Sequence, residues 1–319
     1  MMYKLGIDLG GTNIVAGVVD ENFKIIGIGK RKTNVSGGAT AIADDMAAAA
    51  FDAIKEANLT LDDIEDMGIG APGTVDSETG DIPFSNNLYF YDVPLGKMME
   101  ERVGKKFYIE NDANAAAYGE YIAGAGKGSN HFVAITLGTG VGSGIIIDGK
   151  ILSGSNHAGG EMGHTVIVMN GEKCTCGRHG CWEAYASATA LINQTKQAMI
   201  RYPESLMWDL CDRDLDNVNG KTAFDAAEKG DEAAKKVVER YIEYIAVGIA
   251  NVVNVFQPDM VCIGGGVSKQ GEVLTKPIKQ FVNGENFARN ITKDVVVKTA
   301  TLGNDAGIIG AAYLCNLHK

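Results

Sequence analysis

Residues 3–19 of the sequence read YKLGIDLGGTNIVAGVV, and this stretch decides the fold. Two largely apolar segments, 3–9 and 14–19, lie on either side of the glycine-rich segment Gly10-Gly11-Thr12-Asn13. Glycine adopts backbone conformations that other residues avoid, so a turn of this composition can be very tight. The stretch therefore predicts a β-hairpin at the start of the chain.

The same pattern returns 128 residues later. Apolar residues 131–137 lead into Gly138-Thr139-Gly140-Val141-Gly142, and a second apolar run follows before Asp148. At this constant offset Gly138 falls on Gly10 and Asp148 falls on Asp20. Two glycine-rich turns at the same point of two strand pairs predict an internally duplicated fold.

Along the rest of the chain, apolar segments of strand length alternate with longer segments of helical periodicity, which is typical of an α/β protein. Strands are predicted at 67–71, 106–110, 260–263 and 295–297. Helices are predicted at 39–57, 113–124, 183–256 and 307–314, with a polar interruption at about 201–220. Residues 74–97 are rich in glycine, proline and asparagine and predict a loop.

The duplication also sets the predicted domain limits, because no Pro- or Ser-rich linker marks them. We expect an N-terminal α/β domain of residues 1–112 and 303–319, in which the final helix crosses back to the first half. The C-terminal α/β domain is expected to span residues 113–302.

The composition argues against several classes of partner. The 319 residues carry a formal net charge of −11, which disfavours a nucleic-acid or anionic-membrane partner because both attract clusters of Lys and Arg. No apolar run reaches the roughly 18 residues needed to cross a bilayer, and the N-terminus lacks the features of a cleavable export signal. The scattered cysteines suit a reducing compartment, so we expect a cytoplasmic protein.

Three glycine-rich segments follow apolar strands, namely the turn at Gly10, the turn at Gly138 and the run Gly264-Gly265-Gly266. A phosphate group needs backbone N–H groups at short range, and glycine permits this approach because it has no Cβ. Thr12 and Thr139 add hydroxyl donors. Each segment alone could be only a tight turn, but the three together predict a nucleotide site, although none has the Walker pattern.

A second feature is the pair Asn111-Asp112, which lies between a predicted strand and a predicted helix. Asp112 could simply cap the helix, which is the usual role of aspartate in such a position. A carboxylate there could also accept a proton from an attacking hydroxyl group, as the catalytic aspartate of a kinase does. The sequence leaves both roles open.

A third feature is a group of potential metal ligands with a spacing that suits one ion: His164, Cys174, Cys176 and Cys181. One imidazole and three thiolates form the tetrahedral donor set that zinc prefers in a closed structural site. The alternative is a set of free thiols beside an unrelated histidine, but three cysteines within eight residues favour zinc.

Two glutamates, Glu161 and Glu183, flank these cysteines and His164. Exposed glutamates are usually solvated surface residues. A metal centre would fix the positions of both carboxylates, and carboxylates are typical ligands of sugar hydroxyl groups. The other four histidines, at positions 131, 157, 179 and 318, suggest no role.

Taken together, these motifs resemble those of the ROK family of sugar kinases and repressors. The segments that carry the resemblance are Asp8-Leu9-Gly10-Gly11-Thr12, Glu110-Asn111-Asp112-Ala113-Asn114, Gly160-Glu161-Met162-Gly163-His164 and the cysteine block from Cys174 to Glu183. The similarity extends from residue 3 to the final helix. The cysteine and glutamate block is its most specific part, since the first glycine turn recurs across the wider actin-like superfamily.

The resemblance implies a duplicated actin-like, ribonuclease-H-like α/β fold in which two domains close over a cleft. It implies ATP, Mg²⁺ and a structural Zn²⁺ as cofactors, and Asp112 as the catalytic base. Nucleotide-binding positions are expected at Asp8, Gly10, Gly11, Thr12, Asn13, Gly138, Thr139, Gly140, Gly264, Gly265 and Gly266, with Asp8 steering Mg²⁺ through water. Sugar-binding positions are expected at Gly73, Asn87, Asn111, Asp112, Glu161, His164 and Glu183. Zinc ligands are expected at His164, Cys174, Cys176 and Cys181.

The expected activity is ATP-dependent phosphorylation of the 6-hydroxyl group of glucose, with a homodimer or higher homo-oligomer as the expected assembly. Kinases for N-acetylmannosamine, fructose or allose share most of these motifs. The family also contains sugar-sensing transcriptional repressors, but these carry a DNA-binding module ahead of the first turn, which here begins at Asp8. A third possibility is an actin-like ATPase or a carbohydrate-binding protein that transfers no phosphoryl group.

Overall fold

Residues 3–318 are described by a computed structural model. The strands are β1 (Tyr3–Leu9), β2 (Asn13–Val19), β3 (Ile25–Lys32), β4 (Ile64–Ala71), β5 (Thr74–Asp76), β6 (Asp81–Ser85), β7 (Phe90–Val93), β8 (Phe107–Asn111), β9 (Phe132–Leu137), β10 (Val141–Ile147), β11 (Lys150–Ile151), β12 (Met260–Gly264) and β13 (Val296–Thr299). The α-helices are α1 (Gly38–Glu56), α2 (Leu95–Val103), α3 (Asp112–Ile122), α4 (Glu183–Ala186), α5 (Ala188–Arg201), α6 (Thr222–Glu228), α7 (Glu232–Phe256), α8 (Glu272–Glu285) and α9 (Ala306–Ala312).

The first sheet has five strands in the order β3-β2-β1-β4-β8. Strands β1 and β2 form the predicted antiparallel hairpin, in which Leu9 pairs with Ile14 next to the turn. Strands β4 and β8 extend the sheet in parallel with β1. Because the carboxyl ends of parallel strands meet at the same edge of a sheet, Asp8, Ala71 and Asn111 lie near one edge.

The second sheet has the order β11-β10-β9-β12-β13. This order matches that of the first sheet strand by strand. Strands β9 and β10 correspond to the hairpin strands β1 and β2, and β12 corresponds to β4. The predicted duplication is therefore confirmed. The predicted helices and strands outside the hairpins are also present, with limits that differ by a few residues.

The prediction of a loop over residues 74–97 is wrong for most of its length. Strands β5, β6 and β7 form a small antiparallel sheet there, and helix α2 begins at Leu95. Phe84 and Tyr91 are cross-strand partners whose rings meet edge to face, with their centroids 5.5 Å apart. Cross-strand aromatic pairs of this kind stabilise strands that are short and contain proline, so the glycine and proline content was misleading.

The final helix, α9, packs against the first sheet and against α3, as the sequence predicts. The packing is close because glycines face backbone at both contacts. A Cβ at Gly310 would overlap the carbonyl oxygen of Ala115 in α3, and a Cβ at Gly6 would overlap that of Ile308. The close approach of α9 places the residues just before it, Asn304 and Asp305, beside the first glycine turn.

Two compact units can be distinguished. Within the described residues, unit 1 comprises 3–133, 144–160 and 301–318, and unit 2 comprises 134–143 and 161–300. The domain limits drawn from the sequence stay a prediction. Across residues 3–318, none of the helices combines the length and the apolar composition that crossing a membrane requires.

Candidate active site

The first glycine turn, in unit 1, is held by a residue that nothing in the sequence had marked. The N–H of Gly10 donates to the carbonyl of Asn13 at 2.9 Å, which closes the turn. The hydroxyl of Thr33 donates to the carbonyl of Gly10 at 2.6 Å, and the N–H of Thr33 donates to the carbonyl of Thr12 at 3.0 Å. Thr33 therefore fixes the orientation of two peptide groups in a turn whose glycines would otherwise be mobile.

A cavity of about 570 Å³ lies over this turn. The predicted nucleotide-binding residues in its lining are Asp8, Gly10, Gly11, Thr12 and Asn13. Residues from other elements that line it include Lys30, Asn304 and Asp305. The position of Asn304 and Asp305 directly before a helix predicted to return to the first half was the one signal that could have identified them.

Two buried carboxyl groups with raised pKa values, those of Asp8 and Asp112, lie at the edge of the first sheet. Burial, and secondly the negative charge of Asp112, raise the pKa of Asp8 to about 6. Burial also raises the pKa of Asp112, although the backbone N–H of Ala113, 2.9 Å from Asp112 Oδ1, partly offsets this effect. Neighbouring carboxylates of this kind can bind a proton or a divalent cation between them, or act as a base.

Helix α3 is capped by Asn111 and not by Asp112. Asn111 Oδ1 accepts the N–H groups of Ala113 and Asn114 at 2.9 and 3.2 Å. Its Nδ2 donates to the carbonyl of Gly73 at 3.0 Å. The structure thus assigns the capping role left open by the sequence to Asn111, and Asp112 is the first helical residue.

The predicted sugar-binding residues of unit 1 lie close to these groups. Asn111 contacts Gly73 directly through the hydrogen bond described above. Gly73 has φ +114°, and a Cβ there would overlap the carbonyl oxygen of Phe84, so only glycine fits. Asn87 is exposed, and its Cβ would lie 3.8 Å from a Cβ built at Gly11. Within unit 1, Asn111 therefore lies next to Gly73, and Asn87 lies next to Gly11.

Glu110, which belongs to one of the sequence motifs but was predicted to have no role, stabilises this arrangement from inside the sheet. Its side chain is buried, and Oε1 accepts the N–H of Asn111 at 2.8 Å and Asn114 Nδ2 at 3.0 Å. Burial raises the pKa of Glu110, and the hydrogen bonds from Asn114 and Asn111 partly offset the shift. Glu110 therefore fixes the backbone of the strand end that carries Asn111 and Asp112.

In unit 2, the second glycine turn abuts the start of helix α5. The N–H of Ala188, the first residue of α5, donates to the carbonyl of Gly138 at 2.8 Å. The hydroxyl of Thr189 donates to the carbonyl of Thr139 at 2.8 Å. The side chain of Thr139 is exposed, so this turn presents a hydroxyl group at the positive end of a helix dipole.

The third glycine segment packs against the strand that precedes the second turn. Gly265 has φ +83°, and a Cβ there would overlap the carbonyl of Leu137. Gly266 is exposed and has no neighbouring atom within 4 Å of an added Cβ. The second and third glycine segments, predicted to bind one nucleotide, are therefore neighbours in unit 2. Gly264 lies buried at the end of β12.

The predicted metal ligands come together. The donor atoms of His164, Cys174, Cys176 and Cys181 all lie within 4.8 Å of one another. Cys176 Sγ and Cys181 Sγ are 3.7 Å apart, and His164 Nδ1 is 3.7 Å from Cys174 Sγ. A Zn–S bond is about 2.3 Å long, so two thiolates of a tetrahedral site are about 3.8 Å apart. The residues present therefore fit a closed zinc site.

Glu183 connects the cysteine cluster to the second glycine turn. Its Oε1 accepts the hydroxyl of Thr175 at 3.0 Å, and Cys174 Sγ lies 3.5 Å away. Its Oε2 accepts the N–H of Val141 at 3.0 Å. A Cβ at Gly140 would overlap this same oxygen, which explains the glycine there. Glu161 is exposed and directly precedes the short helical turn that carries His164.

A second cavity, of about 690 Å³, lies in unit 2 between α5, α7 and the cysteine loop. It extends from Thr139 and Glu183 to Arg201, near the end of α5. No sequence motif marked the helical residues that line it, because they are spread over two helices with ordinary amphipathic patterns.

Two sheets of identical strand order with a glycine turn in each, and a helix-end carboxylate in the first unit, define an actin-like sugar kinase fold. The chain belongs to the ROK family, whose sequence model matches residues 4–317. It is 38% identical over 314 residues to the glucokinase of Thermotoga maritima, and the match covers 97% of this chain and 96% of that protein.

Solved structures agree with this assignment. A ROK family glucokinase from Streptomyces griseus, solved in complex with glucose and AMPPNP, is 38% identical with a TM-score of 0.80, and the match covers 98% of each chain. The ROK hexokinase from Thermus thermophilus is 31% identical with a TM-score of 0.79, and 99% of each chain is covered.

Proposed function

We propose that the protein is an ATP-dependent glucokinase that transfers the γ-phosphoryl group of ATP to the 6-hydroxyl group of glucose. The observation that carries the proposal is the position of Asp112. It lies beside Asp8 at the edge of the first sheet, and Asn111 performs the capping role that would otherwise account for it. The similarity to glucokinases over nearly the whole chain supports glucose as the substrate.

In this mechanism Asp112 orients the attacking hydroxyl group and accepts its proton as the bond to phosphorus forms. Gly73, Asn87 and Asn111 of unit 1 bind sugar hydroxyl groups. Asn111 retains one amide hydrogen for this purpose, because its oxygen is used by the helix cap and its other hydrogen by Gly73. Glu161, His164 and Glu183 of unit 2 bind the remaining hydroxyl groups.

The glycine segments bind the nucleotide. We assign the phosphate groups to Gly10, Gly11, Thr12, Asn13, Gly138, Thr139 and Gly140, and the adenosine to Gly264, Gly265 and Gly266. Asp8 would hold Mg²⁺, and this ion would supply positive charge that stabilises the transferred phosphoryl group. A cation next to Asp8 would also relieve the repulsion between Asp8 and Asp112.

We assign Zn²⁺ to His164, Cys174, Cys176 and Cys181 as a structural ion. Four protein ligands leave no coordination position for substrate. Since His164 faces Cys174 with Nδ1, its Nε2 remains for a sugar hydroxyl group. Bound there, the ion would fix the orientation of His164 directly and that of Glu183 through the cysteine loop, where Glu183 accepts the hydroxyl of Thr175. A cytoplasmic location and a homodimer or higher homo-oligomer stay predictions.

A coupled assay that measures ADP release tests the proposed function. We expect glucose to give the highest kcat/KM in a panel that also contains fructose, allose and N-acetylmannosamine. If another hexose gives the highest kcat/KM, the substrate assignment changes, but the assigned reaction stays the same. ATP hydrolysis that no sugar accelerates, or sequence-specific DNA binding by the purified chain, would exclude a sugar kinase.

A further inference from the structure

Two buried polar atoms in residues 3–318 have no hydrogen-bond partner: Ser85 Oγ and His157 Nδ1. Such atoms are rare in proteins, and each calls for an explanation. Both lie in unit 1 next to the predicted sugar-binding residues. Ser85 ends β6, and its Cβ would lie 2.8 Å from a Cβ built at Gly73. His157 lies against Asp76, three residues after Gly73 in the same hairpin.

His157 lies beside the carboxyl group of Asp76, and its charge also influences Glu110. Its Nε2 is 3.5 Å from Asp76 Oδ1. Burial raises the pKa of Glu110, and the positive charge that His157 can carry is among the effects that oppose this shift. Glu110 in turn accepts the backbone N–H of Asn111. His157 therefore lies beside a carboxylate on β5 and acts electrostatically on the carboxylate that fixes the Asn111-Asp112 strand end.

The aspartate is itself fixed in place. Although burial acts to raise the pKa of Asp76, the N–H groups of Glu78 and Thr79 and the nearby His157 hold it below its ordinary value. The distances from Oδ1 to these two N–H nitrogens are 2.9 and 3.3 Å. Asp76 is therefore an ionised, immobile partner for the imidazole.

The backbone of the segment around His157 requires an anchor. His157 has φ +58°, a left-handed conformation that is unfavourable for a residue with a Cβ. Residues 154–156, 158 and 159 are exposed, whereas His157 is partly buried. The segment ends at Gly160, which has φ +86°, and Glu161 follows directly. His157 is thus the inward-facing side chain of an exposed, glycine-rich segment that leads to a predicted sugar ligand.

We propose that His157 is a positioning residue for the sugar: by lying against Asp76, it holds the 153–160 segment and so sets where Glu161 meets the substrate. The proposal rests on the proposed function, since it assigns Glu161 to the sugar. His157 does not take part in proton transfer to or from the substrate. Its loss should weaken sugar binding and leave the chemical step and nucleotide binding intact.

Steady-state kinetics of the full-length enzyme with glucose and Mg-ATP test the proposal. We expect His157→Ala to raise the KM for glucose about tenfold, because Glu161 would lose the fixed position that sugar binding requires. The kcat and the KM for ATP should change by less than about twofold. His157→Gln should restore most of the affinity, because its amide can donate to Asp76 from a position similar to Nε2. His131→Ala is the matched control, since Nε2 of His131 is 3.7 Å from the exposed Asp148.

A glucose KM that stays within about twofold in His157→Ala, or a Gln variant as impaired as the Ala variant, would overturn the proposal. A fall in kcat that accompanies a lower melting temperature would show a structural role only. Hydrogen exchange of the peptide covering residues 152–161 supplies a second measurement, and we expect faster exchange in His157→Ala. This measurement requires no enzymatic activity. If the wild-type protein phosphorylates no hexose, the proposed function is wrong, but hydrogen exchange can still test whether His157 anchors the segment.

Discussion

In the first half of the molecule, Asp8 precedes the glycine turn by two residues, whereas Thr136 occupies the corresponding position before the second turn. The fifth strand of the first sheet, β8, ends in Asn111 and continues into Asp112, while its counterpart β13 is followed by Ala300. The strand order of the two sheets is nevertheless identical. The duplication therefore preserves a scaffold, and the ionisable groups at the sheet edge belong to the first half alone.

The carboxylate next to the second glycine turn, that of Glu183, has a different environment. Glu183 accepts hydrogen bonds from Val141 and Thr175 and so braces the turn and the cysteine cluster. Burial instead raises the pKa of both Asp8 and Asp112, and the negative charge of Asp112 adds to the shift of Asp8. The first half thus has two buried carboxyl groups near its glycine turn, whereas the Glu183 carboxylate of the second half fixes its glycine turn by hydrogen bonds. The predictions below alter one half at a time.

The largest effect is expected from Asp112→Asn. Removing the base should lower kcat about a hundredfold or more, because general-base catalysis contributes that much. The helix should remain folded because Asn111 is its cap. The coupled ADP assay measures kcat, and circular dichroism with glucose titration measures folding and binding. In the wild-type enzyme, activity should fall as the pH decreases through the raised pKa of Asp112, since the protonated form cannot act as a base.

Asp20→Asn is the control for this substitution, because Asp20 is a half-buried residue of the turn between β2 and β3 whose side chain accepts the N–H groups of Asn22 and Lys24. If Asp112→Asn keeps the wild-type kcat, Asp112 is not the catalytic base. If the variant unfolds, the main role of Asp112 is structural.

A smaller but still strong effect is expected from Cys181→Ser, which alters the second half only. Loss of one thiolate should abolish stoichiometric zinc binding and lower the melting temperature, because a structural zinc ion stabilises the loops that ligate it. Glucose affinity should fall as His164 and Glu183 lose their fixed positions. Metal analysis and calorimetry measure these changes. Cys211→Ser, at a buried thiol outside the cluster, should retain the metal, and equal loss in both variants would contradict the assignment.

The two turns can be compared directly by adding one methyl group to each. In Gly140→Ala the new Cβ overlaps Glu183 Oε2, so we expect a loss of about 1–3 kcal/mol in the free energy of unfolding. In Gly11→Ala the nearest atom is 3.8 Å away, so stability should be nearly unchanged while the KM for ATP rises. Urea denaturation and the KM for ATP distinguish these outcomes. Equal stability of the two variants would show that Glu183 moves freely.

Much of this asymmetry could be predicted from the sequence because it depends on residues close together in the chain. The glycine turns, the Asn111-Asp112 pair and the cysteine spacing are local patterns, and the structure brings the four predicted metal ligands together. Glycine content in a turn and ligand spacing in a loop restrict the local backbone regardless of the remaining chain.

The residues that were missed act through partners distant in sequence. Thr33 holds the turn at Gly10 across 23 positions, and His157 contacts Asp76 on another strand pair. No composition or period encodes such contacts, because they depend on how the sheet brings separate segments together. The small sheet over residues 74–93 was missed for the same reason, since its strands are stabilised by pairing and not by propensity.

The smallest expected effect concerns the pH dependence of the free energy of unfolding. It tests whether the buried carboxyl group of Asp8, whose counterpart in the second half is Thr136, destabilises the folded protein. The ordinary pKa of Asp8 is 3.8, and burial together with Asp112 raises it to about 6 in the folded protein. A raised carboxyl pKa means that ionisation is less favourable in the folded than in the unfolded state. The resulting destabilisation is absent below the unfolded pKa, develops as the pH rises from about 4 to 6, and is complete above that range.

Asp8→Asn should therefore be more stable than the wild type at pH 8, by a margin that narrows towards pH 5, when both are measured by urea denaturation without Mg²⁺. It should also be less active, because the group that destabilises the fold is the one assigned to the cation. A constant difference across this pH range would show that Asp8 and Asp112 do not share the environment described here.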